Sequence, residues 1–201
     1  MKKFITFIIS LMMIVSAINA DFKIMGGLNL SKYNVSPEED SMTWSYKRGF
    51  LAGIGFEKNF IQNIVLEFDF LYFKKGSKVE SADLPGFKLK YSLAAISIPV
   101  LLRFKFLDGT SPYVLGGVEF SSILSHKIKF EGEDEIDLKE NTKSINFGLV
   151  FGCGYEIEIQ DHLFFFIEAR YHLGRTNLIN NHVEEESMTP HAILIVVGMK
   201  S

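Results

Sequence analysis

The 201-residue sequence predicts an all-β fold: an eight-stranded antiparallel up-and-down transmembrane β-barrel, preceded by a cleaved signal peptide. Three observations carry this. Apolar and polar residues alternate over eight separate stretches. The connections between them are short and long by turns. The first twenty residues have the layout of an export signal.

The chain opens MKKFITFIISLMMIVSAINA, with Lys2 and Lys3, a mostly apolar run from Phe4 to Val15, and small residues from Ala17 to Ala20. That is the order of a secretory signal peptide, and the run is shorter than the ~20 residues of a membrane helix. The expected division is a signal at 1–20 and one domain at 21–201, of 201 − 20 = 181 residues and formal charge −3 − 2 = −5. Cys153 is the single cysteine, so an internal disulfide is excluded, and no cysteine follows the signal to carry a lipid. No basic excess suggests nucleic acid, and no later run of about 18 apolar residues suggests a membrane helix.

Period-two alternation marks half-buried strands. In the first strand, 22–31, Phe22, Ile24, Leu28 and Leu30 alternate with Lys23, Met25, Gly27, Asn29 and Ser31. A weaker second strand spans 46–57. In the third, 64–73, Ile64, Leu66, Phe68, Phe70 and Tyr72 alternate with Val65, Glu67, Asp69, Leu71 and Phe73. In the fourth, 94–106, Ile96, Ile98, Val100, Leu102 and Phe104 face away from Ser97, Arg103 and Lys105. Its apolar phase slips near Leu93–Ala95, beside Pro99, and an extra residue in this strand is expected there as a bulge. The fifth lies at 112–125. The sixth, SINFGLVFGCGYEIEI at 144–159, sets Ile145, Phe147, Leu149, Phe151, Cys153, Tyr155, Ile157 and Ile159 against a face with Gly148, Gly152 and Gly154. This is no phosphate loop, which needs a helix after its glycines. The seventh spans 163–174 and the eighth 191–199.

Connections after the second, fourth and sixth strands are short; those at about 32–45, 75–87, 126–143 and 175–190 are long and polar. Outer-membrane barrels have short periplasmic turns and long external loops, so an even strand number puts both termini in the periplasm. A soluble barrel is apolar inside and polar outside. Here one face carries large apolar side chains, and the other mixes glycine with charges of both signs. That favours lipid outside and a packed lumen inside. Trp44, Tyr46, Tyr72, Tyr91, Phe104, Phe106, Tyr113, Tyr155 and Tyr171 lie near strand ends and are expected to form interfacial girdles.

The expected lumen network comprises Lys23, Glu67, Asp69, Arg103, Lys105, Glu119, Glu168, Arg170 and His172. Buried charges persist when paired, and eight strands leave an interior filled by side chains. The network therefore reads as a structural plug, with a narrow ion path as its alternative. His172 is expected inward, with Glu168 as partner. Most of the other histidines, His126 among them, fall in turns or loops and are expected to be solvated. No catalytic constellation, cofactor or metal site is expected. The loop FEGEDEIDLKEN places Glu131, Glu133, Asp134, Glu135, Asp137 and Glu140 around only Lys139. It lacks EF-hand spacing and reads as a solvated, acidic external tip. With Glu184, Glu185 and Glu186 it forms a rim that disfavours anionic partners at low salt.

KIMGGLNLSKY, LEFDFLYFKKGSK, SIPVLLRFKF, PYVLGGVEFSSILSHKI, FGLVFGCGYEIE and IEARYHLGRTNL resemble, in order and spacing, strands of the porin-family, PorT-like outer-membrane β-barrel proteins. The resemblance covers the whole domain. It implies an integral protein of the outer membrane, in contact with its lipid and with the barrel-assembly machinery. The ending VVGMKS departs from the aromatic last residue common in such barrels. The resulting expectation is a non-enzymatic structural or interaction protein whose long loops meet a protein partner. The alternatives are a narrow pore for ions or small solutes and a soluble periplasmic barrel with an apolar ligand.

Overall fold

The computed structural model describes residues 20–36, 42–81, 88–130, 135–178 and 187–201. The signal at 1–20 and the acids Glu131, Glu133, Asp134, Glu184, Glu185 and Glu186 lie wholly or almost wholly outside the described residues. The described strands are β1 (Asp21–Ser36), β2 (Met42–Ile61), β3 (Ile64–Ser81), β4 (Lys88–Lys105), β5 (Ser111–Phe130), β6 (Glu135–Asp137), β7 (Ile145–Gln160), β8 (Leu163–Gly174) and β9 (Ser187–Lys200).

Eight of these close into one antiparallel ring, in which β5 pairs with both β4 and β7, and β1 with both β2 and β9. β6 stands outside the ring, folded back on the end of β5. Part of the loop expected at 126–143 is thus strand, followed by a 3-10 turn at Lys139–Asn141. The strands on the long-loop side also run further than alternation alone indicated, β1 to Ser36 and β3 to Ser81.

The register sets the bore. Partners lead from Asp21 to Glu57, Glu67, Leu101, Gly117, Val150, His172 and Ala192, and return to β1 at Ser31. The offset, 31 − 21 = 10 residues, is the shear of the barrel. With eight strands it corresponds to a tilt of ~40° and a backbone radius of roughly 8 Å. Such a bore is filled by side chains.

The faces follow the alternation. Phe22, Ile24, Leu28, Phe50, Leu102, Phe104, Phe151, Ile157, Ile167 and Ile195 point outward and are exposed, whereas Lys23, Glu67, Asp69, Arg103, Glu119, Glu168 and Arg170 point inward and are buried. The girdle assignment needs correction. Tyr46, Tyr72, Phe104, Phe106, Tyr155 and Tyr171 are exposed on the outside, but Tyr113 is buried in the lumen, and Trp44 and Tyr91 pack against the buried cluster around Tyr33.

The bulge expected in β4 is absent from that strand, which keeps one register with β3. The irregularity is at the expected level, but the added residue is Leu124 of β5: Ala94 faces Ser125 and Ala95 faces Ile123. The apparent phase slip in β4 is a change of environment. Leu89 and Leu93 are buried inside the outer part of the barrel, while Leu102 and Phe104 are exposed outside its lower part.

Cys153 is exposed on the outer surface, between the outward Phe151 and Tyr155. In proteoliposomes it should react with a membrane-permeant maleimide and resist a charged, water-soluble thiosulfonate. Labelling by the charged reagent of a barrel that stays folded on unheated gels would place Cys153 outside the lipid band.

Candidate functional site

At the short-turn end, the lumen carries an electrically balanced plug. Its cations are Lys23, Lys105, Lys200, Arg103 and Arg170, and its carboxylates are Glu57, Glu67, Asp69, Glu156 and Glu168. Glu67 and Asp69 are two apart on β3, so both point inward. Lys23 of β1 reaches both, at 2.9 Å from Asp69 Oδ1. It can do so because β2 presents Gly55 between them: a Cβ there would collide with Asp69 Oδ1 and Lys23 Cε.

The two arginines bridge across the bore. Arg103 donates to Glu67 through Nε (3.2 Å), to Glu156 through Nη1 (3.1 Å), and to Glu57. Its guanidinium lies 4.7 Å from the centre of the Tyr113 ring. Arg170 donates to Glu168 through Nε (2.5 Å), to Asp69 through Nη1 (2.7 Å) and to Glu67 through Nη2 (2.9 Å). The Tyr113 hydroxyl donates to the other Glu168 oxygen at 2.8 Å. Lys200 joins Glu57 and Glu156 at 2.5 and 2.7 Å. The guanidinium fork suits this work, since each Arg satisfies carboxylates from several strands at once.

Of the sequence-derived network, Lys23, Glu67, Asp69, Arg103, Lys105, Glu168 and Arg170 meet here. Lys105 sits at the mouth and pairs with Glu156. Three members were missed: Glu57, Glu156 and Lys200. Each continues the inward parity of its strand, and that parity was the available signal.

Glu119 and His172 form a separate group higher in the bore. His172 bonds Glu119 at 2.6 Å rather than the expected Glu168, which Arg170 and Tyr113 occupy. Ser97 donates to Glu119 at 2.5 Å, and Lys75 lies at 3.5 Å. Leu51, Leu71, Phe73, Leu194 and Val196 pack with Phe166 into an apolar cluster within the same bore. Three buried atoms around this level, His172 Nε2, Asn29 Oδ1 and Asn146 Oδ1, lack a protein partner among the described residues.

Aromatic rings close the other end. Trp44 and Tyr91 stack at 5.4 Å, Tyr33 meets Tyr91 at 5.8 Å, and the His126 ring lies 5.9 Å from each tyrosine. Leu93, Ala95, Ile123 and Leu178 fill the space around Tyr33. His126 is therefore buried, not solvated as expected for a loop histidine. The Thr142 hydroxyl donates to the Leu138 carbonyl, so at 2.8 Å it accepts from His126 Nδ1–H, which leaves Nε2 facing the Tyr33 hydroxyl at 3.5 Å.

Of the acidic loop, Glu135 pairs with Lys127 at 3.0 Å and the Asp137 carboxylate accepts the Lys139 N–H at 2.8 Å. Glu140 lies in the 3-10 turn. The described part of this loop is thus partly neutralised. Among the described residues, no group of three metal-ligating side chains is present.

The family model for "Outer membrane protein beta-barrel domain" matches residues 16–180. Among solved structures, the outer membrane protein OprG of Pseudomonas aeruginosa is 16% identical over 90% of this chain and 96% of its own, with a TM-score of 0.50. Ail of Yersinia pestis is 15% identical over 90% of this chain and 99% of its own, with a TM-score of 0.47. Neisserial surface protein A is 13% identical over 89% of this chain and 95% of its own, also at 0.47. Identities this low speak to the fold alone, and the two scores below 0.50 add nothing to it. No curated protein sequence matches.

Replacing Arg103 or Arg170 by Met strands carboxylates in the bore. Each variant should lose about 3–5 kcal/mol, read as a lower urea midpoint for the refolded barrel in micelles. The rim offers a second test. His126 is flanked on the outside by Lys127 and Lys129, beyond the apolar band. Burial pushes its imidazole down from 6.5 to about 4, with Asp137 opposing. The unfolded chain therefore binds the proton first, and the stability due to the neutral ring is lost as pH falls from 6.5 towards 4. Trp44, the single tryptophan, reports on this. Its emission should hold steady from pH 8 to 6 and change as pH falls towards 4, where the folded-state ring takes up its proton, and His126→Phe should abolish the change.

Proposed function

The chain belongs to the outer membrane protein beta-barrel domain family, and on that premise we propose that it is a closed, non-conducting barrel that serves as a structural or interaction protein of the outer membrane. The order of its strand motifs supports a place in the porin-family, PorT-like branch. Export by the N-terminal signal and insertion by the barrel-assembly machinery, with both termini in the periplasm, complete the reading. The long connections would then meet any protein partner, as loops over a rigid frame commonly do.

The observation that carries the reading is the plug itself. Five cations and five carboxylates consume one another's charge within the bore, and the rings of Tyr33, Trp44, Tyr91 and His126 close the far end. A non-enzymatic role is supported by the same arrangement, since these carboxylates are bound to arginine and lysine rather than held ready for proton transfer. The exposed apolar outer face gives the soluble-barrel alternative no support.

One observation favours a second reading, a narrow ion path. The middle of the bore holds buried polar atoms without protein partners among the described residues, His172 Nε2, Asn29 Oδ1 and Asn146 Oδ1, as a hydrated passage would. Planar-bilayer recording separates the two. The proposed closed barrel gives no discrete steps in 1 M KCl at ±100 mV, whereas Arg103→Ala combined with Tyr91→Ala creates them. Stable steps from the wild type, lost when Arg103 and Lys105 are neutralised, would establish the ion path instead.

A further inference from the structure

The outer wall of β2–β5, on the long-loop side, carries a cleft with a marked excess of cations. It has a volume of about 340 Å³ and is lined by Lys47, Arg48, Lys74, Ser92, Lys127 and Glu135, among others. Glu135 pairs with Lys127. No described carboxylate pairs with Lys47, Arg48 or Lys74. Lys32, Lys78, Lys90 and Lys129 extend the cationic surface along the same wall at the outward parity of β1, β3, β4 and β5.

The cleft is built by the fold. Pairing between β2 and β3 is interrupted between Tyr46 and Leu51, where β2 carries one residue more than β3. Through this gap β1 reaches β3 directly. Asn29 Nδ2 donates to the Lys74 carbonyl at 2.9 Å, and the Ser31 hydroxyl both donates to the Gly76 carbonyl and accepts its N–H, at 2.9 and 2.8 Å. The added residue turns Lys47 to the outside. Its chain crosses β3 over Gly76 and ends on the Tyr91 carbonyl at 2.9 Å and the Ser92 hydroxyl. A Cβ at Gly76 would lie 2.9 Å from Lys47 Cδ and would collide with the Tyr91 carbonyl. Lys47 is thus held across the wall before any ligand arrives.

The position of the cleft narrows its ligand. Phe50 forms part of its floor, with the Lys74 ammonium 5.7 Å from that ring. Below lie the exposed Phe50, Tyr72 and the apolar outer wall. A molecule seated here has its charged part among ammonium groups and its apolar part along hydrocarbon-facing side chains. A soluble anion would use only the upper half of that surface. Lysines near a membrane surface are each worth about 1 kcal/mol toward anionic lipid.

We propose that this cleft is a binding site for a phosphate-bearing lipid headgroup of the leaflet on the long-loop side. The proposal rests on the membrane-barrel reading above, with Lys47, Arg48, Lys74 and Lys127 as the phosphate ligands and the Phe50–Tyr72 surface as the seat of the acyl chains. It also qualifies the acidic rim expected from the sequence: the wall beneath the loops is basic and favours anionic lipid.

The test uses the refolded full-length barrel in micelles, with native mass spectrometry counting bound diphosphoryl lipid A. The comparison ligands are the same lipid after enzymatic removal of both phosphates, and inorganic phosphate. One lipid per barrel is expected, with affinity reduced about 100-fold or more in Lys47→Gln/Lys74→Gln/Lys127→Gln and unchanged in Lys143→Gln. Equal binding of the dephosphorylated lipid, or no loss in the triple variant, overturns the proposal. Saturation by inorganic phosphate with the lipid's affinity also overturns it, as an ion site only. Heat-shifted gel mobility and flotation with phosphatidylcholine vesicles are measured on the same samples. A wild type that fails to float sinks the membrane reading itself, whereas one that floats without phosphate preference sinks only the lipid site.

Discussion

The narrow bore of an eight-stranded ring governs this molecule. Eight strands at a shear of 10 give each level of the lumen only a few side chains, and those side chains meet across the axis. A charge pointed inward must therefore find its opposite there or forfeit its solvation. The consequence is visible in Arg103 and Arg170, which together contact carboxylates from β2, β3, β7 and β8. Removing such a pair whole and replacing it with apolar residues need not destabilise a protein, but removing one partner does. The plug is therefore a source of intolerance to single changes, and it ties non-adjacent strands into a single bore.

The same constraint explains what was legible. Strand parity could be read from Glu67–Asp69, Arg103–Lys105 and Glu168–Arg170, because two-residue spacing fixes a face without reference to the rest of the chain. Partner identity could not be read. The Arg170–Asp69 contact spans 101 positions in sequence and depends on the shear, which accumulates around the whole ring. His172 illustrates the point: Glu168 is its neighbour on the strand, but Glu119 is its neighbour in space. The long connection after β5 misled for a different reason. Its described acids Glu135, Asp137 and Glu140 are exposed as read, yet the connection is shorter than alternation indicated, because β5 continues to Phe130 and β6 folds back against it.

Tyr113 faces inward among the plug charges, whereas Trp44 and Tyr91 were misassigned where the barrel changes environment. In the lower part the outside is apolar and the inside is charged. Higher up the order reverses. Lys78, Lys90 and Lys129 lie outside, while Val79, Leu89 and Ile128 form a buried cluster within. The protruding part obeys the rule of a water-soluble barrel, and the submerged part obeys its inverse. A strand that crosses the boundary keeps its backbone phase and exchanges the chemistry of its two faces. That exchange in β4, from Leu89 and Leu93 inside to Leu102 and Phe104 outside, imitates a bulge in the sequence. Trp44 and Tyr91 belong to the upper regime and pack inward.

The boundary also explains why the wall is irregular where it is. The two register shifts in the body of the ring, in β2 between Tyr46 and Leu51 and at Leu124 of β5, both lie near it. Below it, an unpaired N–H or C=O would face hydrocarbon, and pairing is enforced. Above it, water or a side chain can serve instead, as Asn29 and Ser31 do for the backbone of Lys74 and Gly76. An added residue is tolerated only where its backbone groups can be satisfied in this way. Once tolerated there, it turns a lysine outward at the height where a membrane carries its charge. The irregularity, the basic cleft and the reversal of faces thus have one physical origin, the passage of each long strand from hydrocarbon into water.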